Sequence, residues 1–342
     1  MSFISNIIDG INLGSIYAII ALGYTMVYGI AKMLNFAHGD VIMIGGYVLY
    51  EIIQGLGYHP LLAIFLSMLV CTILGVVIER VAYKPLRGAT SLAVLITAIG
   101  VSYLLQNVAQ LIFTSNPKSF DSGIDFGTIS LAGGDLKIKG STILTIVVSA
   151  AIVVGLLIFI KKSKTGRAML AVSEDKDAAR LMGVDVNKTI AVTFAIGSAL
   201  AAIASFFMLT AMPNLTPTTG SMPGIKAFVA AVFGGIGSIP GAFVGGILLG
   251  IIESLSKKYI STTLANAIVF LVLIIVLIFV GGIYEKQKNK YKKIHTYYFD
   301  NDSRNYNSIY YNEYSFQRRF SLIQDARPFS TDMCICNSCR IT

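Results

Sequence analysis

The chain has 342 residues, 55% of them hydrophobic and 13% charged, with a mean hydropathy of +0.71. An ordinary soluble domain carries about 25% charged residues, so a water-soluble globular protein is excluded. The continuous apolar runs also exclude the alternating ~10-residue segments of a membrane β-barrel. In so apolar a chain the net charge of +9 points to basic loops on one side of a bilayer rather than to nucleic-acid binding.

Apolar runs near the roughly 20 residues that cross a bilayer recur along the first 285 residues. They predict an all-α, polytopic transmembrane bundle of about eight spans, near 10–31, 39–54, 61–80, 91–113, 143–160, 188–211, 225–253 and 264–282. No basic residue precedes Lys32, so the first run reads as a retained helix rather than a cleaved leader. The second span is short and carries Gly45 and Gly46. The seventh, "VFGGIGSIPGAFVGGILLG", is long and interrupted. Its Gly237, Gly241 and Gly245 fall four apart, as do Gly246 and Gly250, a spacing that lets helix backbones approach closely. Pro240 removes a backbone donor and predicts a kink or break. Tight interior packing and a broken helix beside a pathway both fit, because irregular backbone at membrane depth occurs only where it is buried or lines a cavity.

Orientation follows from Lys and Arg. Arg80, Lys84 and Arg87 mark one loop as cytoplasmic, and Lys161, Lys162, Lys164, Arg167, Lys176 and Arg180 mark another. The stretches 114–142 and 212–223 should then be external, with the N-terminus outside. Eight simple crossings would also leave the C-terminus outside, against the five lysines between 286 and 293. Either the interrupted seventh segment crosses more than once or the tail disobeys the rule.

Polar residues in the spans include Asn12, Asn35, His38, Asp40, Gln106, Asn107, Glu253 and Asn266. Ionisable groups inside a membrane are functional candidates, and the ionisable ones here lie near predicted span ends. The pathway candidates are Asn35, His38, Asp40, Asn107, Gly237 and Gly241. The mid-span acid pairs of an ion-coupled carrier are not evident. No G-x-x-x-x-G-K-[ST] phosphate loop, zinc-spaced Cys/His set or nucleophile triad occurs in the core, so no catalytic residue and no metal site is expected.

Between the fifth and sixth spans lies "SEDKDAARLMGVDV", with Glu174, Asp175, Lys176, Asp177 and Arg180 close together. Ser173 suits an N-cap, the acidic residues suit a helix start, and Gly183 suits the left-handed position after a helix end. Ala171, Val172, Ala178, Ala179, Leu181 and Met182 fall on one side of the wheel, opposite Ser173, Lys176, Asp177 and Arg180. The expectation is a short capped helix, too polar for the bilayer, whose small-residue face can dock a partner.

"DAARLMG", Asp177 to Gly183, resembles the E-A-A-x-x-x-G coupling motif of ABC importer permeases. "GYTMVYGIAKMLNFAHGDVIMIGGYV", "IERVAYKPLRGA", "ITAIGVSYLLQN" and "GIKAFVAAVFGGIGSIPGAFVGGILLGIIESL" accompany it in order. Over roughly 1–284 the chain resembles the H-type permease subunit of bacterial branched-chain amino-acid importers. The resemblance implies a multi-pass subunit of the bacterial cytoplasmic membrane. It implies a second homologous permease, two cytoplasmic ATPase subunits that bind the ATP, and an extracytoplasmic solute-binding protein as partners. The chain itself would need no cofactor. By resemblance, Asp177, Ala178, Ala179 and Gly183 fall where an ATPase subunit is contacted. Urea, short amides or other amino acids remain open as substrates, and a self-sufficient carrier is the rival reading. Residues 1–285 form the permease domain in this reading. Residues 286–342, with Cys334, Cys336 and Cys339, differ in composition and read as a disordered or aberrant extension.

Overall fold

The computed structural model describes residues 2–124, 127–131, 136–235, 237–276 and 278, so the extension from 286 and its cysteines lie outside the described residues. Five predicted spans are single long helices: α1 (Ser2–Ala31), α3 (Pro60–Ile78), α4 (Ser91–Phe113), α5 (Gly140–Lys162) and α8 (Val186–Ala211). The short second span is α2 (His38–Tyr50), which runs on through a π turn to Gly55. The eighth is represented by α11 (Ala265–Val276).

Local chemistry sets the helix ends. Pro60 begins α3, where its missing N–H would be unpaired in any case, and the His59 side chain accepts from Leu61 N. Thr90 caps α4 and Asp185 caps α8 through their side chains. Arg167 and its neighbours start a separate helix, α6 (Lys164–Glu174), capped by Ser163.

The seventh span is two antiparallel helices, α9 (Ser221–Phe233) and α10 (Ile239–Tyr259). Pro240 does not kink a helix; it sits in the first turn of α10 behind the Ser238 cap, where proline is tolerated. The reversal needs Gly237, whose φ is +100°. The small residues then let the two arms close. A Cβ on Gly241 would fall 1.9 Å from the Gly234 carbonyl oxygen, and one on Gly245 2.3 Å from that of Ala230.

The other face of α10 lies antiparallel along α1. A Cβ on Gly250 would stand 2.1 Å from the Gly14 nitrogen, and one on Gly246 2.6 Å from the Ala18 Cα. Backbones this close gain dispersion contacts and exclude larger side chains. Helix α1 is thereby central: 89% of its apolar window is buried, against 17% for α4.

Loops gather at two ends. At one, Lys176 Nζ donates to the Ala31 carbonyl (2.8 Å), Arg87 bonds both Asn187 and Glu79, and the α9–α10 turn lies beside Gly29. At the other, β1 (Lys118–Ser119) pairs antiparallel with β4 (Asn214–Leu215), and Lys118 bonds Glu51 (3.0 Å). A hairpin of β2 (Thr128–Leu131) and β3 (Leu136–Lys139) precedes α5. The sequence-assigned cytoplasmic loops thus share one end, and the described strands within the two stretches assigned outside share the other, while Gly220 and Ser221 of the second stretch reach inward to Gly39.

Candidate functional site

Helix α2 begins inside the bundle, not at its end. Its second residue, Gly39, meets Gly220 at the start of α9: a Cβ on Gly220 would fall 1.8 Å from the Gly39 carbonyl oxygen. Two helix starts therefore abut at depth, and three of the sequence-predicted pathway residues cluster around them.

Asn35 precedes α2 and accepts a hydrogen bond from the Tyr83 hydroxyl (2.9 Å). It borders a narrow recess with Tyr24, Tyr28, Leu34, Phe228 and Ala231. His38 is buried with its ring edge-on to Tyr24 (4.8 Å between centroids), and its Nε2 occupies the space a side chain at Gly23 would need. Asp40 is 1% exposed. Ser102 Oγ donates to its Oδ2, and Gln106 Nε2 donates to its Oδ1 at 2.9 Å and to Ser221 Oγ at 3.1 Å. Helices α2, α4 and α9 are joined by polar contacts at that one place.

The other three pathway candidates lie elsewhere. Asn107 is exposed on the outer face of α4, its amide turned back to the Tyr103 carbonyl (2.7 Å). Gln106, one residue and about 100° of helix away, supplies the polar group to Asp40 instead. Gly237 and Gly241 shape the α9–α10 turn at the end of the bundle that carries Ala31 and Lys176.

A second buried cluster was not visible in the sequence. Glu253 of α10, fully buried, accepts from Lys226 of α9 (2.6 Å), Lys257 (2.7 Å) and the Tyr17 hydroxyl of α1 (2.9 Å). The Lys226 side chain is 7% exposed, that of Lys257 34%. Glu253 alone read as a polar residue near a span end. The missed signal is Lys226, a lone ionisable residue in the apolar stretch "GIKAFVAAVF", which merits a functional or pairing role on its own. The pairing itself depends on the α9–α10 reversal.

The charged segment is two helices, not one. Asp175 takes an extended conformation (φ −149°, ψ 118°) and ends α6. Asp175, not Ser173, caps the following α7 (Lys176–Leu181), accepting from the Asp177 and Ala178 amides (2.8 and 3.0 Å). Ser173 lies inside α6, its hydroxyl bonded to the Leu170 carbonyl. The Ala178 and Asp177 amides hold the Asp175 carboxyl below the usual carboxylate range. Burial lowers the affinity of Lys176 for its proton, and Arg87, Lys32 and Arg180 add like charge. Gly183 has φ +82°, the left-handed value expected after a helix end. The small face divides: Val172 and Ala179 are buried against the bundle, whereas Ala178 is exposed and Leu181 and Met182 are 89% and 84% exposed. Asp177 faces solvent, within an ion pair to Arg180 (3.3 Å).

A bundle with abutting helix starts at depth and a capped polar helix at one end invites comparison with known transport proteins. The chain is similar to the high-affinity branched-chain amino acid transport system permease protein BraD of Pseudomonas aeruginosa, 43% identical over 289 residues, covering 81% of this chain and 94% of the relative. It is similar to the corresponding LivH protein of Escherichia coli strain K12, 41% identical over 286 residues, covering 81% and 93%. The family described as branched-chain amino acid transport system, permease component, matches residues 6–278, and this multi-pass membrane chain belongs to it.

Proposed function

We propose that this chain is one permease subunit of an ABC importer that moves leucine, isoleucine and valine across the bacterial cytoplasmic membrane. It pairs with a second permease, receives solute from an extracytoplasmic binding protein, and is driven by two cytoplasmic ATPase subunits. The similarity to BraD and LivH supports the substrate class. The observation that carries the coupling role is α7. It stands at the end of the bundle with the basic loops, its base fixed by Lys176 on Ala31 and by buried Ala179, with Leu181 and Met182 presented to solvent. Large apolar side chains exposed beside a charged, capped helix suit a protein partner.

In this reading Ala178 and Asp177 meet an ATPase subunit and Gly183 aims the helix. The end bearing Lys84, Lys164 and Lys176 is cytoplasmic, following the excess of basic residues. Helix α9 descends to that end and α10 returns, which adds a crossing and carries α11 back toward the cytoplasm, in keeping with the lysines after residue 285. Asn35, His38 and Asp40 line the route where α2 and α9 begin. Gly237 and Gly241 act from the cytoplasmic turn, and the exposed face with Asn107 is left to lipid or the second permease.

The test is Gly183→Val in the complex reconstituted with its partner subunits. Beyond its two chain neighbours, nothing in this subunit lies within 4 Å of a Cβ at Gly183, so within the subunit the change acts through backbone strain, about 1–2 kcal/mol for a left-handed residue bearing a Cβ. The variant should insert normally, and solute-stimulated ATP hydrolysis should fall at least severalfold. Wild-type stimulation and co-purification in both Gly183→Val and Asp177→Lys would remove the coupling assignment. Labelling of a cysteine at position 164 from outside intact cells would overturn the orientation.

A further inference from the structure

Asp40 is a carboxylate buried at membrane depth among neutral groups. Its described partners are the Ser102 hydroxyl and the Gln106 amide, and none of the ion pairs among the described residues includes it. When ionised, Asp40 outweighs the roughly half positive charge that the start of α2 offers. A buried carboxylate without a counter-charge is costly, and such groups in membrane bundles mark ligand or ion routes.

The neighbours define what would neutralise it. Gln106 aims an N–H donor, not its oxygen, at Asp40, Ser102 and Ser221. That leaves two carboxylate oxygens and two hydroxyls as acceptors on α2, α4 and α9. Among the described residues no three His, Cys, Asp or Glu side chains gather to hold a metal ion, and one carboxylate with two hydroxyls falls short of the six or more oxygens of a calcium site. A primary ammonium needs three acceptors spread around one nitrogen, which this set has. We propose that Asp40, with Ser102 and Ser221, receives the ammonium group of the amino acid in transit. Gln106 holds the carboxylate in place until α4 parts from α2 and α9. This rests on the amino-acid reading above.

The experiment is leucine uptake by proteoliposomes holding the whole complex, with Asp40→Asn beside wild type. Asparagine keeps the shape and one acceptor but removes the charge. The variant should co-purify with its partner subunits and move leucine roughly tenfold more slowly or worse, the size expected for losing a charge-assisted hydrogen bond. Asp40→Glu should recover part of the rate. An assembled Asp40→Asn complex with the wild-type rate would overturn the subsite and leave a packing contact. If Asp40→Asn does not assemble, Ser102→Ala decides, since it leaves the carboxylate and removes one acceptor. A severalfold slower rate supports the subsite, and an unchanged rate overturns it. A wild-type complex that moves no leucine, isoleucine or valine would instead defeat the substrate reading on which the proposal stands.

Discussion

Glu253 and Asp40 are both carboxylates with almost no exposed surface, and their surroundings are opposite. Glu253 collects two lysines and a tyrosine hydroxyl across α1, α9 and α10. Asp40 of α2 collects only two neutral donors, both from α4, and α9 joins through the Gln106–Ser221 contact. The first cluster sits where glycines bring α10 against both neighbours, so its members have no room to separate. The second joins well-buried α2 to α4, a helix that shows most of its apolar surface. A carboxylate held by opposite charge in a tight seam suits a structural clamp. One held by neutral groups beside a helix whose outer face the rest of the chain leaves uncovered suits a site whose partner comes and goes.

The largest break in this comparison should come from Glu253→Ala. Lys226 would be left buried without a counter-charge, at about 3–5 kcal/mol, and the detergent-solubilised protein should unfold far more readily in a denaturant titration. A loss below about 1 kcal/mol would show that water reaches the cluster. Next is Gly250→Leu, which drives a side chain into the Gly14 backbone. Overpacking of that kind costs about 1–3 kcal/mol, and because backbone rather than a side-chain tip is struck, the upper end is expected in the same titration. The double change Lys226→Met with Glu253→Leu should stand about 1–3 kcal/mol below wild type, since apolar replacement of a whole buried pair is often neutral and the remaining loss is the Tyr17 hydroxyl left without its acceptor. If the double variant is as unstable as Glu253→Ala, the charges themselves are required. Asp40→Asn should change stability by no more than about 1 kcal/mol, because it exchanges one neutral-donor contact for relief of a buried charge. A change near that of Glu253→Ala would erase the contrast between the two sites. The smallest effect belongs to Lys257→Ala. Its partly exposed ammonium still reaches water, so roughly 0.5 kcal/mol is expected, and a much larger loss would make Lys257 an equal partner of Lys226.

The seventh span and the charged loop show how far local patterns reach. The glycines and Pro240 announced an interruption, and the chain does reverse there. The direction after the break was open, because a kink and a hairpin need the same residues; the close fit of Gly234 with Gly241 settles it as a reversal. Gly183 was legible as a left-handed position because the requirement is local. The cap was misplaced by two residues, since Ser173 and Asp175 are both good caps. Only the docking of Val172 and Ala179 against the bundle decides where α6 must end.

The sequence by itself determined the apolar helices, their approximate ends, the two sets of loops and the exposed, charged character of the segment around α7. Each of these follows from composition over a window or from contacts within about four residues. Tertiary structure alone decided which buried groups meet. Tyr17 and Glu253 are 236 positions apart, Asp40 and Gln106 are 66 apart, and Lys226 and Glu253 are joined across a hairpin. Whether Gln106 or Asn107 reaches Asp40 rests on about 100° of rotation of one helix. Hydropathy averages over that angle, and packing against a neighbouring backbone fixes it.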